Sequence, residues 1–189
     1  ITSFTLGYAQ DSRDLRYDPT RGSYMAWNYE QAAEILGGAT TFGKLSLDFR
    51  HYFPVARTSH VIALRLLGGT CFGDTPLYES FSVGGANTLR GYEADRWRGT
   101  NLLAFSGEYR YPISDKLTAV AFVDAGDAWG GTFDTIVPGF RVTAEDQDFN
   151  LHLGYGAGVR VKTPLGPIRL DIGFGEEGNQ AHFSFGHTF

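Results

Sequence analysis

Nine stretches of period-two alternation, with no stretch of helical period among them, constrain this chain more than any other feature. Between 41 and 53, Leu45, Leu47 and Phe49 fall on one face, and Lys44, Ser46, Asp48 and Arg50 fall on the other. Between 151 and 162, Leu151, Leu153, Tyr155, Ala157, Val159 and Val161 alternate with His152, Gly154, Gly156, Gly158, Arg160 and Lys162. Successive side chains of a strand point to opposite faces, so each stretch makes a ribbon with one apolar and one polar side. The same pattern predicts strands over 4–8, 23–31, 59–72, 103–111, 116–129, 168–174 and 181–189. The expected class is all-β and antiparallel. A count of 25 glycines and an aromatic share of 15% suit such a turn-rich chain. A length of 189 residues suggests one domain or part of one.

Several function classes find no support. A net charge of −5, with no cluster of Lys and Arg, argues against a nucleic-acid surface. The single cysteine, Cys71, excludes an internal disulfide and any multi-cysteine metal site. Five histidines (His51, His60, His152, His182, His187) are scattered without ligand spacing, and neither GxSxG nor HExxH occurs. The run Gly154-Tyr155-Gly156-Ala157-Gly158 is not a nucleotide loop, because no helix follows it. No catalysis and no cofactor are therefore expected. No signal peptide opens the chain, and no run of 18 apolar residues offers a membrane helix. A strand-built membrane protein needs neither.

Periodicity alone does not say which face is outside. A soluble sandwich or a lipocalin-like barrel fits the alternation, and so does a transmembrane barrel. Charge content favours the last. The apolar face carries almost no charge and is bordered by Tyr, Trp and Phe, as a lipid-facing band with interfacial aromatics should be. The opposite face mixes Lys44, Asp48, Arg50, Arg65, Glu108, Arg110, Asp124, Arg160, Lys162, Arg169 and Asp171 with glycines. Short turns (54–58, 112–115, 164–167) alternate with longer segments (about 72–100 and 130–149), as expected when the short turns share one rim. Nine is an odd number of strands, whereas single-chain bacterial barrels have even counts. If short turns mark the periplasmic rim, the first strand starts on the extracellular side. The chain is therefore expected to be the C-terminal portion, residues 1–189, of a larger barrel.

The longer of the two segments, 72–100, lacks strand-like alternation yet carries Phe72, Leu77, Tyr78, Phe81, Leu89, Tyr92 and Trp97. A solvated linker would lack such apolar anchors, so the segment is expected to pack and to hold Arg90 in place. Its core, Gly84-Gly85-Ala86-Asn87-Thr88-Leu89-Arg90-Gly91-Tyr92, resembles the GG…VRG(F/Y) signature of the outer membrane protein 85 superfamily. Three further segments agree in order. They are Tyr17-Asp18-Pro19-Thr20-Arg21-Gly22, Phe122-Val123-Asp124-Ala125-Gly126 and Thr163-Pro164-Leu165-Gly166-Pro167-Ile168-Arg169. Leu89 stands where Val is commoner, and Arg90 and Gly91 are intact.

The resemblance covers essentially the whole chain. It implies a sixteen-stranded antiparallel transmembrane β-barrel in the bacterial outer membrane, preceded by periplasmic domains, of which these are the last nine strands. It further implies that the loop folds back into the lumen, with its arginine held by acidic residues of the wall. Glu108 and Asp124, placed on the polar face by alternation alone, are the expected partners of Arg90, and Gly91 and Tyr92 complete this loop latch. Phe183, Phe185 and Phe189 resemble the C-terminal β-signal by which such barrels are recognised for assembly. The implied function is outer-membrane protein assembly through a laterally opening barrel whose edge strand templates a client. The alternatives are a polypeptide secretion pore of the two-partner secretion type and a barrel anchor of a larger surface protein. Expected partners are outer-membrane lipid, unfolded barrel clients, periplasmic domains of the same chain, and a second copy met through free strand edges.

Overall fold

In the computed structural model, residues 1–37, 40–55, 58–137, 140–144, 147–163 and 166–186 are described. Thirteen strands form: β1 (Ser3–Asp11), β2 (Gly22–Ala32), β3 (Phe42–Pro54), β4 (Val61–Gly73), β5 (Phe81–Val83), β6 (Trp97–Gly99), β7 (Asn101–Pro112), β8 (Leu117–Trp129), β9 (Phe133–Val137), β10 (Phe140–Ala144), β11 (His152–Thr163), β12 (Gly166–Gly175) and β13 (Gly178–Phe185). Nine of them make one sheet in the order β1-β2-β3-β4-β7-β8-β11-β12-β13. Every neighbouring pair in that sheet is antiparallel. These are the nine strands that alternation predicts, with ends differing by a few residues. The sheet does not close within the chain: β1 and β13 are its two edges.

Two expectations are corrected. The segments 72–100 and 130–149 each carry a small hairpin, β5 with β6 and β9 with β10. Strands of three and five residues are too short to display a period. The chain also forms two single 3₁₀ turns, Glu34–Leu36 and Leu77–Glu79. At the other end, the connection left between the strands expected over 168–174 and 181–189 shrinks to Glu176 and Glu177, because Gly175 pairs with Gly178 and so extends both strands. Gly178 adopts φ +133, which a glycine reaches without a Cβ penalty. Phe189 lies outside the described residues.

The two faces differ in the sense opposite to a water-soluble fold. Leu45, Leu47, Phe49, Ile62, Leu66, Phe105, Tyr109, Val123, Tyr155, Ile172 and Phe183 are exposed, while Glu108, Arg110, Asp124, Arg169 and Asp171 are buried. Soluble proteins almost never bury unpaired charges while presenting a continuous apolar band outward. An apolar exterior around a polar interior is the arrangement of a membrane barrel wall. All nine residues of β1 are exposed.

The sheet is curled. Neighbouring strands lie about 4.8 Å apart, so β7 and β12 would be separated by roughly 14 Å on a flat sheet. The single side chain of Arg90 nevertheless reaches Glu108 on β7, Asp124 on β8 and Asp171 on β12. The polar face must therefore wrap around it. At the opposite rim the β1–β2 turn also reaches across, with Asp18 paired to Lys162 at the end of β11, 2.5 Å away.

Candidate functional site

The connection between β4 and β7 folds onto the polar face rather than away from it. Backbone conformation makes this possible. Gly84 and Gly85 take φ +127 and +86, and a Cβ on Gly84 would overlap the Glu93 carbonyl oxygen. Thr88 closes the bend by accepting from the Gly84 N–H at 2.9 Å and donating to the Gly84 carbonyl at 3.0 Å. Beyond this turn Leu89 enters an apolar cluster with Val83, Tyr92 and Ala128, flanked by Trp97 and Leu102. Of the anchors expected from sequence, Leu89, Tyr92 and Trp97 pack in this way. Tyr78 and Phe72 are exposed.

Arg90 is the centre of the arrangement, with only 2% of its surface exposed. Its Nε and Nη2 donate to the two oxygens of Asp124 at 2.7 and 2.8 Å, a two-pronged pairing that fixes the guanidinium plane. Its Nη1 donates to Glu108 Oε1 at 2.7 Å, and its Nη2 also reaches Ser106 Oγ at 3.1 Å. The backbone N–H of Arg90 donates to Asp124 Oδ2 at 3.0 Å, so that one carboxylate holds both the side chain and the main chain. Beneath the guanidinium lies the ring of Phe122, 3.6 Å from its centroid, in cation–π position. Asp171 adds a longer ion pair at 3.6 Å.

Glu108 and Asp171 are themselves shared. Glu108 accepts from Arg110 Nε and Arg160 Nη2, both at 3.0 Å. Asp171 accepts from Arg160 and from Arg169 Nη2, the latter at 3.3 Å. Each of these buried carboxylates thus meets more than one cation, which offsets the cost of removing it from water. The network runs across β7, β8, β11 and β12 with the loop arginine as its keystone.

Glycines on the wall make room for the loop. Gly154 lies opposite Asp124 in the β8–β11 ladder, and a Cβ there would overlap the Arg90 carbonyl oxygen. A Cβ on Gly173 would overlap the Gly91 nitrogen, and one on Gly175 would strike the Tyr92 ring. Gly91 itself takes φ +100 against the Phe174 backbone, where a side chain would be both strained and crowded. Gly156 and Gly158 admit Phe122 and Asp171 instead.

Gly91, Tyr92 and Arg96 of the loop also touch the last hairpin. The Gly91 N–H donates to His182 Nε2 on β13 at 3.2 Å. The Tyr92 hydroxyl donates to the Leu153 carbonyl at 2.8 Å and accepts from the Glu176 N–H at 3.0 Å. Arg96 grips Glu177 through Nε and Nη2 at 2.9 and 2.6 Å, and this holds the Glu177 carboxyl below its ordinary pKa. Trp97 stacks on His152 with ring centroids 3.8 Å apart.

The structure therefore brings Arg90, Gly91, Tyr92, Glu108 and Asp124 together in one place. Phe183 and Phe185 lie elsewhere, exposed on the apolar face of β13 with their rings in an edge contact. Sequence reasoning did not assign Phe122, Asp171, His182, Trp97 or His152 to the site. Phe122 and Asp171 fall on the polar face by alternation, which was the available signal. His152 falls on that face too, but no sequence signal links it or His182 to the loop, because their partners lie across an irregular loop in the first case and 91 residues away in the second.

Comparison with known proteins agrees with the fold. The Omp85 superfamily domain matches the chain over residues 1–189. Outer envelope protein 80, chloroplastic, of Arabidopsis thaliana is 32% identical over 168 residues, covering 88% of this chain and 22% of that protein. Outer membrane protein assembly factor BamA of Nitratidesulfovibrio vulgaris is 26% identical over 207 residues, covering 96% of this chain and 25% of that protein. The chain thus spans about a quarter of the length of these relatives. In fold it is similar to the crystal structure of BamA from Haemophilus ducreyi lacking POTRA domains 1–3, with a TM-score of 0.77 at 17% identity, over 97% of this chain and 41% of that one. The barrel wall belongs in an outer membrane, and the chain is a member of the Omp85 superfamily.

Proposed function

We propose that this chain is the loop-bearing C-terminal part of an outer-membrane protein assembly factor. The observation that carries the reading is the burial of Arg90 against Asp124 and Glu108, in a chain whose relatives include proteins named as assembly factors. A loop held inside the lumen by a charge network is poorly suited to free diffusion through a pore. It is well suited to bracing the wall next to an edge that opens.

In this reading, residues 1–189 contribute nine strands to a larger barrel whose first and last strands part laterally. The freed edge of β13 then pairs with an incoming strand of an unfolded client through its exposed N–H and C=O groups. Phe183 and Phe185 supply the apolar outer face of that strand and, with Phe189, its recognition signal. The rim where β7 passes into β8 and β11 into β12 faces the periplasm and any preceding domains. The chemistry required is hydrogen-bond exchange and lipid displacement, with no catalytic group or cofactor.

The test is insertion of a labelled barrel client into outer-membrane-like liposomes by the full-length parent protein, wild type against Arg90→Ala. Loss of insertion by the variant, with its barrel still heat-resistant on a gel, is the expected result. A wild type that inserts nothing would instead favour the secretion-pore reading, and a fully active variant would remove the latch from the mechanism.

A further inference from the structure

The contacts between the loop and the terminal hairpin single out one side chain. His182 faces inward from β13, directly across the β12–β13 ladder from Asp171. Its Nε2 accepts the backbone N–H of Gly91 at 3.2 Å, joining the loop to the last strand of the sheet. That N–H has nowhere else to turn. Gly91 is pressed against Gly173, where not even a methyl group would fit. Gly91 is also buried, so loss of the acceptor would leave a donor without water.

An imidazole accepts at Nε2 only when it is neutral and carries its proton on Nδ1. The imidazolium donates from both nitrogens and accepts from neither. Protonation of His182 therefore sets two N–H groups against each other at 3.2 Å. The charged groups that act on this ring are Arg90 from the loop, Asp171 and Arg169 from β12, and Asp124 from β8. Asp124 and Asp171 are already engaged by arginines.

We propose that His182 is a positioning residue that ties β13 to the loop, and that its protonation releases the edge strand while the Arg90 network stays docked. Acidification then loosens the edge without undoing the latch. The functional weight of this tie rests on the reading of β13 as the client-pairing edge. The tie itself rests on geometry alone.

The test is hydrogen–deuterium exchange of peptides covering residues 178–185 in the full-length protein, at pH 7.5 and pH 4.5, corrected for the intrinsic pH dependence of exchange. In the wild type, corrected exchange should rise about tenfold on acidification, the scale of one lost hydrogen bond. His182→Gln, whose side-chain carbonyl accepts without titrating, should stay protected at both pH values. His182→Phe should exchange rapidly at both. Wild-type protection that is flat with pH overturns the proposal and needs no variant. His182→Gln that loosens with acid, or His182→Phe as protected as wild type at pH 7.5, overturns it equally. Exchange does not depend on client insertion, so failure of the liposome assay and failure of this tie are read separately.

Discussion

Arg90 owes its hold to shape as much as to charge. Asp124 takes two prongs of its guanidinium, Glu108 takes the third direction and Phe122 supplies a ring face below. A lysine offers a point charge and cannot make this fork. Removing the side chain strands the buried Asp124 and takes from Glu108 one of its three arginines, a loss on the order of 3–5 kcal/mol for a buried pair. Gly154 offers an independent probe that leaves every charge in place. A Cβ there collides with the Arg90 carbonyl, and overpacking of this kind costs about 1–3 kcal/mol. Gly154→Val should lift the loop, and trypsin should then cut the folded protein after Arg96 or Arg98 about tenfold faster than wild type. Unchanged cleavage would mean that the wall yields rather than the loop. Alternation was enough to put Glu108, Asp124, Phe122 and Asp171 on one face. It could not say that Gly154 faces Asp124, because that register depends on the length of the irregular β8–β11 connection.

Among the elements, the β1–β2 turn shows how local hydrogen bonds replace a missing strand. Asp14 accepts from the Thr20 N–H at 2.9 Å, from the Thr20 hydroxyl at 2.6 Å and from the Leu15 N–H at 3.0 Å. Desolvation works against the charge, but these bonds prevail and hold the carboxyl down to about 2, below its ordinary value of 3.8. A group with a depressed folded pKa adds stability that is present above its unfolded value and lost as pH falls through the folded one. Amide protection at Thr20 and Arg21 should therefore be steady above pH 4 and disappear as pH falls toward 2. Asp14→Ala should lack it throughout, as NMR exchange measurements would record. The Pro19 and Gly22 that marked this segment as a turn were legible in sequence. The hairpin of β9 and β10 was not, since five-residue strands between irregular ends carry too little pattern.

For the whole molecule, the dominant fact is an open sheet with an apolar outside. Both edges, β1 and β13, carry unpaired N–H and C=O groups, and such edges template further strands. Residues 1–189 purified in detergent should therefore associate, and light scattering should report dimers or larger species. Thr5→Pro, which removes an N–H that faces away from β2, should shift the distribution toward monomer. A monomer at all concentrations would indicate edges shielded by detergent or by the chain itself. The class of fold and the inward-facing charges could be read from period two, yet periodicity was silent on which face looked outward. The structure resolved this because a single arginine touching three strands of the wall requires the polar face to be concave.

The loop has one more consequence, in mechanical terms. A strand ladder loaded from its end opens like a zipper, one bond at a time, and is weak. Here the terminal hairpin is also fastened, through Gly91, Tyr92 and Arg96, to a strut whose far end is bolted to β7 and β8 at Arg90. Tension on the last strand is therefore shared with the middle of the sheet before any ladder bond yields. The wall behaves as a braced frame, stiff until one fastener is released and compliant afterwards.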